Sequence, residues 1–312
     1  MRRDTETGLR RAVAMSADAK MREAALVVTA QNNPRNSRRL KPLLPTMHDQ
    51  HVPQGHLKDR RALVTGGSTG IGRAIASQLA KAGAAVAIDY LNHPDDAHRV
   101  LADIALSGVR SLAIAADVSD PGAVGDMFEQ LDREWGGIDI LVNNAGMDGV
   151  RSAVWETDLD KWKHVIEVNL FGTLFCAREA LRRMVKARRG VIINITSVHE
   201  SIPWSGYSAY TASKAAVSML TKTMAQEAAP FGVRVVAVAP GAIKTDINRS
   251  VWSDASGLDD LQSKIPMGRM GMPEEVARMV VLLASDQASY VTGTTVFVDG
   301  GMLDYPSFAH GG

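Results

Sequence analysis

Cysteine is nearly absent from this chain. Cys176 is the one example in 312 residues, which excludes an internal disulfide and fits a reducing cytoplasm. Charge of one sign is also missing. The net charge is +1 with 22% charged residues, so no global field points to nucleic acid or to an acidic partner. No apolar run reaches the 18 or so residues of a membrane helix, so no membrane partner is expected. His164 and His310 have no ligand partners at metal spacing, so no metal site is expected. What remains is an ordinary globular composition, 46% hydrophobic, long enough for a large core.

The first 55 residues differ from the rest. They carry ten Lys and Arg against five Asp and Glu, with Pro34, Pro42, Pro45 and Pro53 and no long apolar periodicity. They read as a flexible basic N-terminal extension, 1–55, ahead of one catalytic domain, 56–312. No signal-peptide core is visible, and the acidic residues argue against a transit peptide. Translation from Met47 is a sharper expectation for the same stretch. The basic cluster Arg35–Lys41 is the one feature that suits nucleic acid, and nothing else supports that role.

From Leu57 onward, short apolar runs alternate with helical periodicity. Strands are expected at Arg61–Thr65, Ala85–Asp89, Ser111–Ala116, Ile138–Val142, Gly190–Thr196, Arg234–Ala239 and Thr294–Val298. Helices are expected at Arg73–Ala82, Pro94–Ser107, Pro121–Trp135, Asp160–Lys186, from Tyr210 to about Ala229, and at Pro273–Ala284. Pro240 to about Met272 reads as irregular. This alternation predicts an α/β fold: a Rossmann-type, doubly wound, seven-stranded parallel sheet in a single domain.

Gly66, Gly70 and Gly72 lie between the first strand and its helix, with Ser68, Thr69 and Ile71 among them. Glycines let the backbone approach a pyrophosphate, and the helix N-terminus offers free N–H groups. The end of the second strand should read the adenosine ribose. There Asp89 would repel a 2′-phosphate if it points inward, which depends on a one-residue register, and Tyr90 follows. No cation is adjacent, which favours NAD with NADP open. Asp117, followed by Val118, either binds the adenine amino group or caps the helix at Pro121.

Tyr210 and Lys214 stand four residues apart in a helical stretch, on one face. Ser197, thirteen residues upstream, closes a strand buried on both faces, at the carboxyl edge where open α/β sheets bind ligands. Asn143-Asn-Ala-Gly146 closes a neighbouring strand at the same edge. Asn169 sits in mid-helix, a poor place for asparagine.

Together with Thr65–Gly72 and Pro240-Gly241, these residues resemble the short-chain dehydrogenase/reductase family over about Leu57 to the C-terminus. The resemblance implies NAD(P), a homotetramer, and a catalytic tetrad of Asn169, Ser197, Tyr210 and Lys214. Cofactor contacts would include Asn144, Ala145, Gly146, Tyr210, Lys214, Pro240, Gly241, Ile243 and Thr245. Tyr210 would be the base, its pKa brought down by the ammonium and the nicotinamide. Ser197 would bind the substrate oxygen, and Asn169 a water serving Lys214.

Within the family, Ser197–Trp204, Pro240–Ile243, Ile265–Gly268 and the tail Gly300–Met302 with Tyr305–Phe308 resemble the bacterial glucose 1-dehydrogenases. That implies a small-molecule substrate, an aldose oxidised at C1, met by Asp148, Ser197, His199, Tyr207 and Tyr210, with Glu200 nearby on the rim. Lys244 and Asp246 depart from the neutral residues expected there. Other readings stay open: His199 as a loop cap, Trp204 as core, Asp148 as a turn residue. A 3-oxoacyl thioester or small-ketone reductase is the rival enzyme, and a nucleotide-sensing regulator the rival non-enzyme.

Overall fold

The computed structural model describes residues 56–245, 252 and 254–304. The arm 1–55, Asp246, Tyr305–Phe308 and His310 lie outside the described residues.

Seven strands form one sheet in the order β3-β2-β1-β4-β5-β6-β7. They are β1 (Arg61–Val64), β2 (Ala85–Tyr90), β3 (Ser111–Ala115), β4 (Ile140–Asn143), β5 (Gly190–Ile195), β6 (Val233–Pro240) and β7 (Thr295–Val298). Every neighbouring pair is parallel, as expected. Ala62–Val64, Ile140–Val142, Val191–Ile195 and Val235–Ala239 are buried on both faces of the sheet, which is why they read as apolar runs, broken only by Asn194.

Helices cover both faces: α1 (Gly70–Lys81), α2 (Pro94–Ala105), α3 (Pro121–Trp135), α4 (Leu159–Ile166), α5 (Gly172–Ala187), α6 (Ser208–Ala228), α7 (Ala255–Ser263) and α8 (Pro273–Ala284). One apolar layer places Ile75, Leu79, Val276 and Val280 against Val64, Ile88 and Val236. The other places Met127, Phe128, Cys176 and Met184 against Leu63, Leu141 and Ile192. Cys176 is buried there as a small apolar residue.

Three differences from the sequence reading concern the site. α1 begins at Gly70, three residues before Arg73, so two loop glycines lie within the helix. The stretch expected as one helix from Asp160 to Lys186 is broken by a π-turn, Glu167–Phe171, between α4 and α5. The stretch expected to be irregular contains α7, capped by Asp254, which accepts from the Gly257 amide. At the amino end of the sheet, buried Asp139 takes hydrogen bonds from Arg61 Nε at 2.8 Å and Arg189 Nη2 at 2.6 Å. This pins β1, β4 and the start of β5 on the side away from the site.

Among the described residues, no helix is long and apolar enough to cross a membrane. No cluster of His, Cys, Asp and Glu there could hold a metal ion.

Candidate active site

The glycine turn leaves β1 with Gly66 at φ +58° and Gly70 at φ +51°, conformations that disfavour a side chain. At Gly72 a Cβ would stand 2.2 Å from the Gly66 carbonyl oxygen, so only glycine fits. At Gly70 the nearest side-chain atom to a Cβ would be Thr245 Cγ2, at 3.7 Å. That space lies between the turn and the segment that follows β6. Thr69 occupies the N-cap of α1 without a side-chain cap bond, which leaves the first amides of α1 available to an anion. Ser68 is buried in the turn, and Ile71 packs against the core.

Asp89 does not face a ribose. Its side chain turns under the glycine turn, and Oδ1 accepts from the Gly66 amide at 2.6 Å. Burial pushes its pKa up to about 7. The register puts Asp89 inside and leaves Tyr90 half-buried at the strand end. The expected repulsion of a 2′-phosphate by Asp89 therefore falls away. Asp117 is not the helix cap, because Asp120 caps α3 by accepting from the Gly122 amide. Asp117 Oδ1 instead accepts from the amide and hydroxyl of Ser119. Val118 points into the core against Gly172, which leaves only its backbone for a ligand.

The Asn143–Gly146 segment is mostly structural. Asn144 Nδ2 donates to the Thr65 and Gly66 carbonyls, while the amides of Asn144 and Ala145 both donate to Thr65 Oγ1. This knots the glycine turn to the end of β4. Asn143 donates to Asn194 Oδ1, and Asn194 donates to Thr221 Oγ1, a buried polar chain from β4 through β5 to α6. Sequence reasoning missed Thr65 and Asn194 as organising residues. The available signal was Asn194, a polar residue inside an otherwise apolar strand, in register with Asn143.

Gly146 is where the elements converge. A Cβ there would lie 3.2 Å from Asn169 Oδ1 and 3.6 Å from Lys214 Nζ. The π-turn places Asn169, a common use of such a defect. Its side chain accepts from the Met147 amide and donates to the Met147 carbonyl and to Ser213 Oγ. Ser213 Oγ in turn donates to the Tyr210 carbonyl. The amide of Asn169 is thus committed to protein partners, which is a positioning arrangement. Ser213 is a further residue that sequence reasoning missed.

Lys214 is buried, and its ammonium donates to the Ile195 carbonyl at 2.9 Å, 5.6 Å from the Tyr210 ring centre. Burial brings its pKa down to about 8, against the pull of Asp148 and Glu200. Tyr210 runs opposite to expectation: burial pushes the phenol up to about 12. A hydrogen bond with Ser197 works against that rise, and the nearby Asp148 charge adds to it. The ammonium alone does not overcome the desolvation of a buried phenolate. Ser197 Oγ accepts from the His199 amide at 3.1 Å, and its own hydroxyl proton serves the Tyr210 oxygen, the bond that works against the rise.

Around these groups stand the expected substrate residues. Burial raises the pKa of half-buried Asp148, and the nearby charges of Lys214 and His199 oppose the rise. Tyr207 stacks on Trp204 at the start of α6. Asp148 and Tyr207 also border a cavity of about 170 Å³ lined by Trp162 and Val165. Glu200 departs from the rim, since its carboxylate accepts from Ser218 Oγ on α6. At the far wall, Pro240 ends β6, and a Cβ on Gly241 would lie 2.8 Å from Asp299 Cα. Ile243 is buried and bridges Gly271. The Thr245 carbonyl accepts from Trp252 Nε1 at 2.9 Å. Lys244 lies over the Trp252 ring at 4.6 Å.

A dinucleotide fits these residues: a glycine cradle, bare helix amides, an open slot at Gly70, and a flat floor at Gly146 beside Lys214. A family model described as enoyl-(acyl carrier protein) reductase matches residues 66–303. The chain is 44% identical over 256 residues to 3beta-hydroxysteroid dehydrogenase 1 of Eggerthella lenta, covering 82% of this chain and 98% of that one. It is 40% identical over 252 residues to glucose 1-dehydrogenase 2 of Bacillus subtilis, covering 80% and 97%. A crystal structure from Agrobacterium tumefaciens, assigned as a 2-deoxy-D-gluconate 3-dehydrogenase with bound NADP, superposes with a TM-score of 0.74 at 37% identity, over 80% of this chain and 99% of that one. With its fold, its site and these relatives, the chain belongs to the short-chain dehydrogenase/reductase family of oxidoreductases.

Proposed function

We propose that this protein is an NAD(P)-dependent dehydrogenase acting on a cyclic hydroxyl compound, with an aldose such as D-glucose oxidised at C1 to the lactone as the leading substrate. The observation that carries the reaction is the convergence of Ser197, Tyr210 and Lys214: Lys214 Nζ stands 5.6 Å from the Tyr210 ring centre, and Ser197 hydrogen-bonds with Tyr210. The glucose reading is supported by the His199 ring standing edge-on to Tyr210 at 6.2 Å, by Asp148 and Tyr207 lining one cavity, and by the similarity to a glucose 1-dehydrogenase. NAD is favoured because neither Ser68 and Thr69 nor Tyr90 and Leu91 supply a cation for a 2′-phosphate.

The cofactor supplies the hydride acceptor when bound. Ser197 turns its hydroxyl proton from the Tyr210 oxygen to the substrate oxygen, where charge develops. Tyr210 takes the hydroxyl proton of the substrate. Lys214, held by the Ile195 carbonyl, supplies positive charge that favours the phenolate and passes the proton onward. Asn169 and Ser213 hold Met147 and the Tyr210 backbone in place.

Exposed Phe171, Leu174 and Met219 on and beside α5 and α6 support a homotetramer, and the single cysteine supports a cytoplasmic setting. Residues 1–55 would be an extension to the catalytic domain 56–312. A second reading, reduction of a 3-oxoacyl thioester, is favoured by 41% identity over 246 residues to a 3-oxoacyl-[acyl-carrier-protein] reductase of Staphylococcus epidermidis. A nucleotide-sensing regulator would not need the intact tetrad. The test is cofactor reduction with D-glucose, other aldoses and cyclic alcohols, using NAD and NADP separately. Glucose-dependent NADH formation supports the reading. Silence with every alcohol, together with rapid NADPH oxidation by an acetoacetyl thioester, overturns it.

A further inference from the structure

Trp204 sits beside Tyr210, 36% exposed, with no part in the chemistry above. His199 lies parallel to its indole at 4.6 Å and 11°. Tyr207 also lies nearly parallel to it, at 3.9 Å and 26°. Two rings this close to one indole centre would collide if they shared a face. They therefore cover opposite faces, and the indole is clamped between them. Tyr210 meets both His199 and Trp204 edge-on, at 6.2 Å and 71° and at 5.9 Å and 80°, geometries that aromatic rings favour.

The clamp has a consequence for His199. Its Nδ1 stands 3.1 Å from the Ile202 carbonyl oxygen. A carbonyl can only accept, so Nδ1 carries the proton, and in the neutral ring Nε2 is a bare acceptor. Burial disfavours the charged ring, against weaker pulls from the Ile202 carbonyl and Asp148. One ring face is on Trp204, one nitrogen is on Ile202, and Nε2 remains.

We infer that Trp204 is a positioning residue that holds His199 with Nε2 as a fixed acceptor for a second hydroxyl group, next to the carbon whose hydroxyl Tyr210 deprotonates. The inference rests on the dehydrogenase reading and narrows it. The substrate class is then a cyclic alcohol or lactol with a neighbouring hydroxyl. A simple ketone or a 3-oxoacyl thioester has no donor to offer there.

The test uses the full chain labelled with ¹⁵N-histidine, alone and in Trp204→Ala, Trp204→Phe and His199→Ala forms. Nitrogen NMR at neutral pH should show His199 as the Nδ1–H tautomer, assigned by its loss in His199→Ala. Trp204→Ala should convert it to a mixture, and Trp204→Phe, which keeps a stacking ring, should restore the single form. In parallel, kcat/KM is measured for trans-cyclohexane-1,2-diol and for cyclohexanol. The diol should be preferred about tenfold, the size of one hydrogen bond. The preference should be lost in Trp204→Ala and His199→Ala and regained in Trp204→Phe. An Nε2–H or protonated His199, or a tautomer indifferent to Trp204→Ala, overturns the inference. So does equal turnover of the two alcohols by the parent enzyme. No turnover of either overturns the dehydrogenase reading instead, and the tautomer still decides the role of Trp204.

Discussion

The Asp89 carboxylate accepts a hydrogen bond from the Gly66 amide at 2.6 Å, from beneath the turn that opens the cofactor cradle. Its pKa, raised by burial to about 7, makes the contact a pH-dependent contribution to stability. A raised acid pKa stabilises the fold fully below the unfolded value of about 4, and that stability is lost as pH rises through 7. Asp89→Asn keeps an acceptor oxygen without the buried charge. It should raise unfolding stability at pH 8 by about 2 kcal/mol and remove the decline between pH 4 and 7. Urea unfolding of both proteins across that range checks this.

Lys214 carries the opposite sign. A base whose folded pKa is lowered to about 8 destabilises the fold below that pH, and the penalty is relieved as pH rises from 8 towards its unfolded value. Lys214→Met should therefore fold with at most about 1 kcal/mol of loss, despite the orphaned Ile195 carbonyl. It should lose about 10²-fold or more in kcat/KM. The parent's oxidation rate should climb with pH through neutrality, since the small phenolate fraction of Tyr210 grows with every step towards its pKa of about 12, and should flatten past 8 as Lys214 loses its charge. Steady-state pH profiles of the two proteins test both statements.

Asn169 holds both backbone groups of Met147 as well as Ser213. Asn169→Leu leaves these buried partners unpaired and should cost about 2–3 kcal/mol, together with a fall in kcat. Thermal unfolding and kinetics on the same preparation separate the two effects.

Asp139 has no part in the reaction. Burial alone would raise its pKa, but hydrogen bonds from Arg61 and Arg189 outweigh that and bring it below the usual carboxylate range. Asp139→Ala removes the carboxylate from half-buried Arg61 and exposed Arg189 and should cost about 2–3 kcal/mol, mostly through Arg61. The kcat of the folded fraction should be unchanged. In the parent, the stability Asp139 provides is lost as pH falls below 4. Acid unfolding of the parent and the variant compares them.

The sheet was legible because its strands are apolar runs bounded by glycine, proline and polar turns. α3 and α8 match the sequence reading end to end, because Pro121 and Pro273 mark first helical turns unambiguously. The π-turn at Asn169 was not legible, since one extra backbone residue per turn leaves no trace in composition. Asp89 was misplaced because side-chain direction in a strand reverses with each residue. The rise in the Tyr210 pKa escaped sequence reading because burial, not the neighbouring lysine, dominates it. The aromatic clamp on Trp204 depends on a loop path that no periodicity encodes.

The central claim is that Tyr210 moves the substrate proton in a nicotinamide-dependent hydride transfer. Tyr210→Phe removes one oxygen atom and keeps the ring contacts with His199 and Trp204. The decisive measurement is cofactor reduction by this variant and the parent with the preferred alcohol, with cofactor affinity determined separately by fluorescence titration. The account predicts a loss in kcat of about 10²–10⁴-fold with cofactor affinity within about threefold, a difference under 1 kcal/mol. Full turnover by Tyr210→Phe would contradict it.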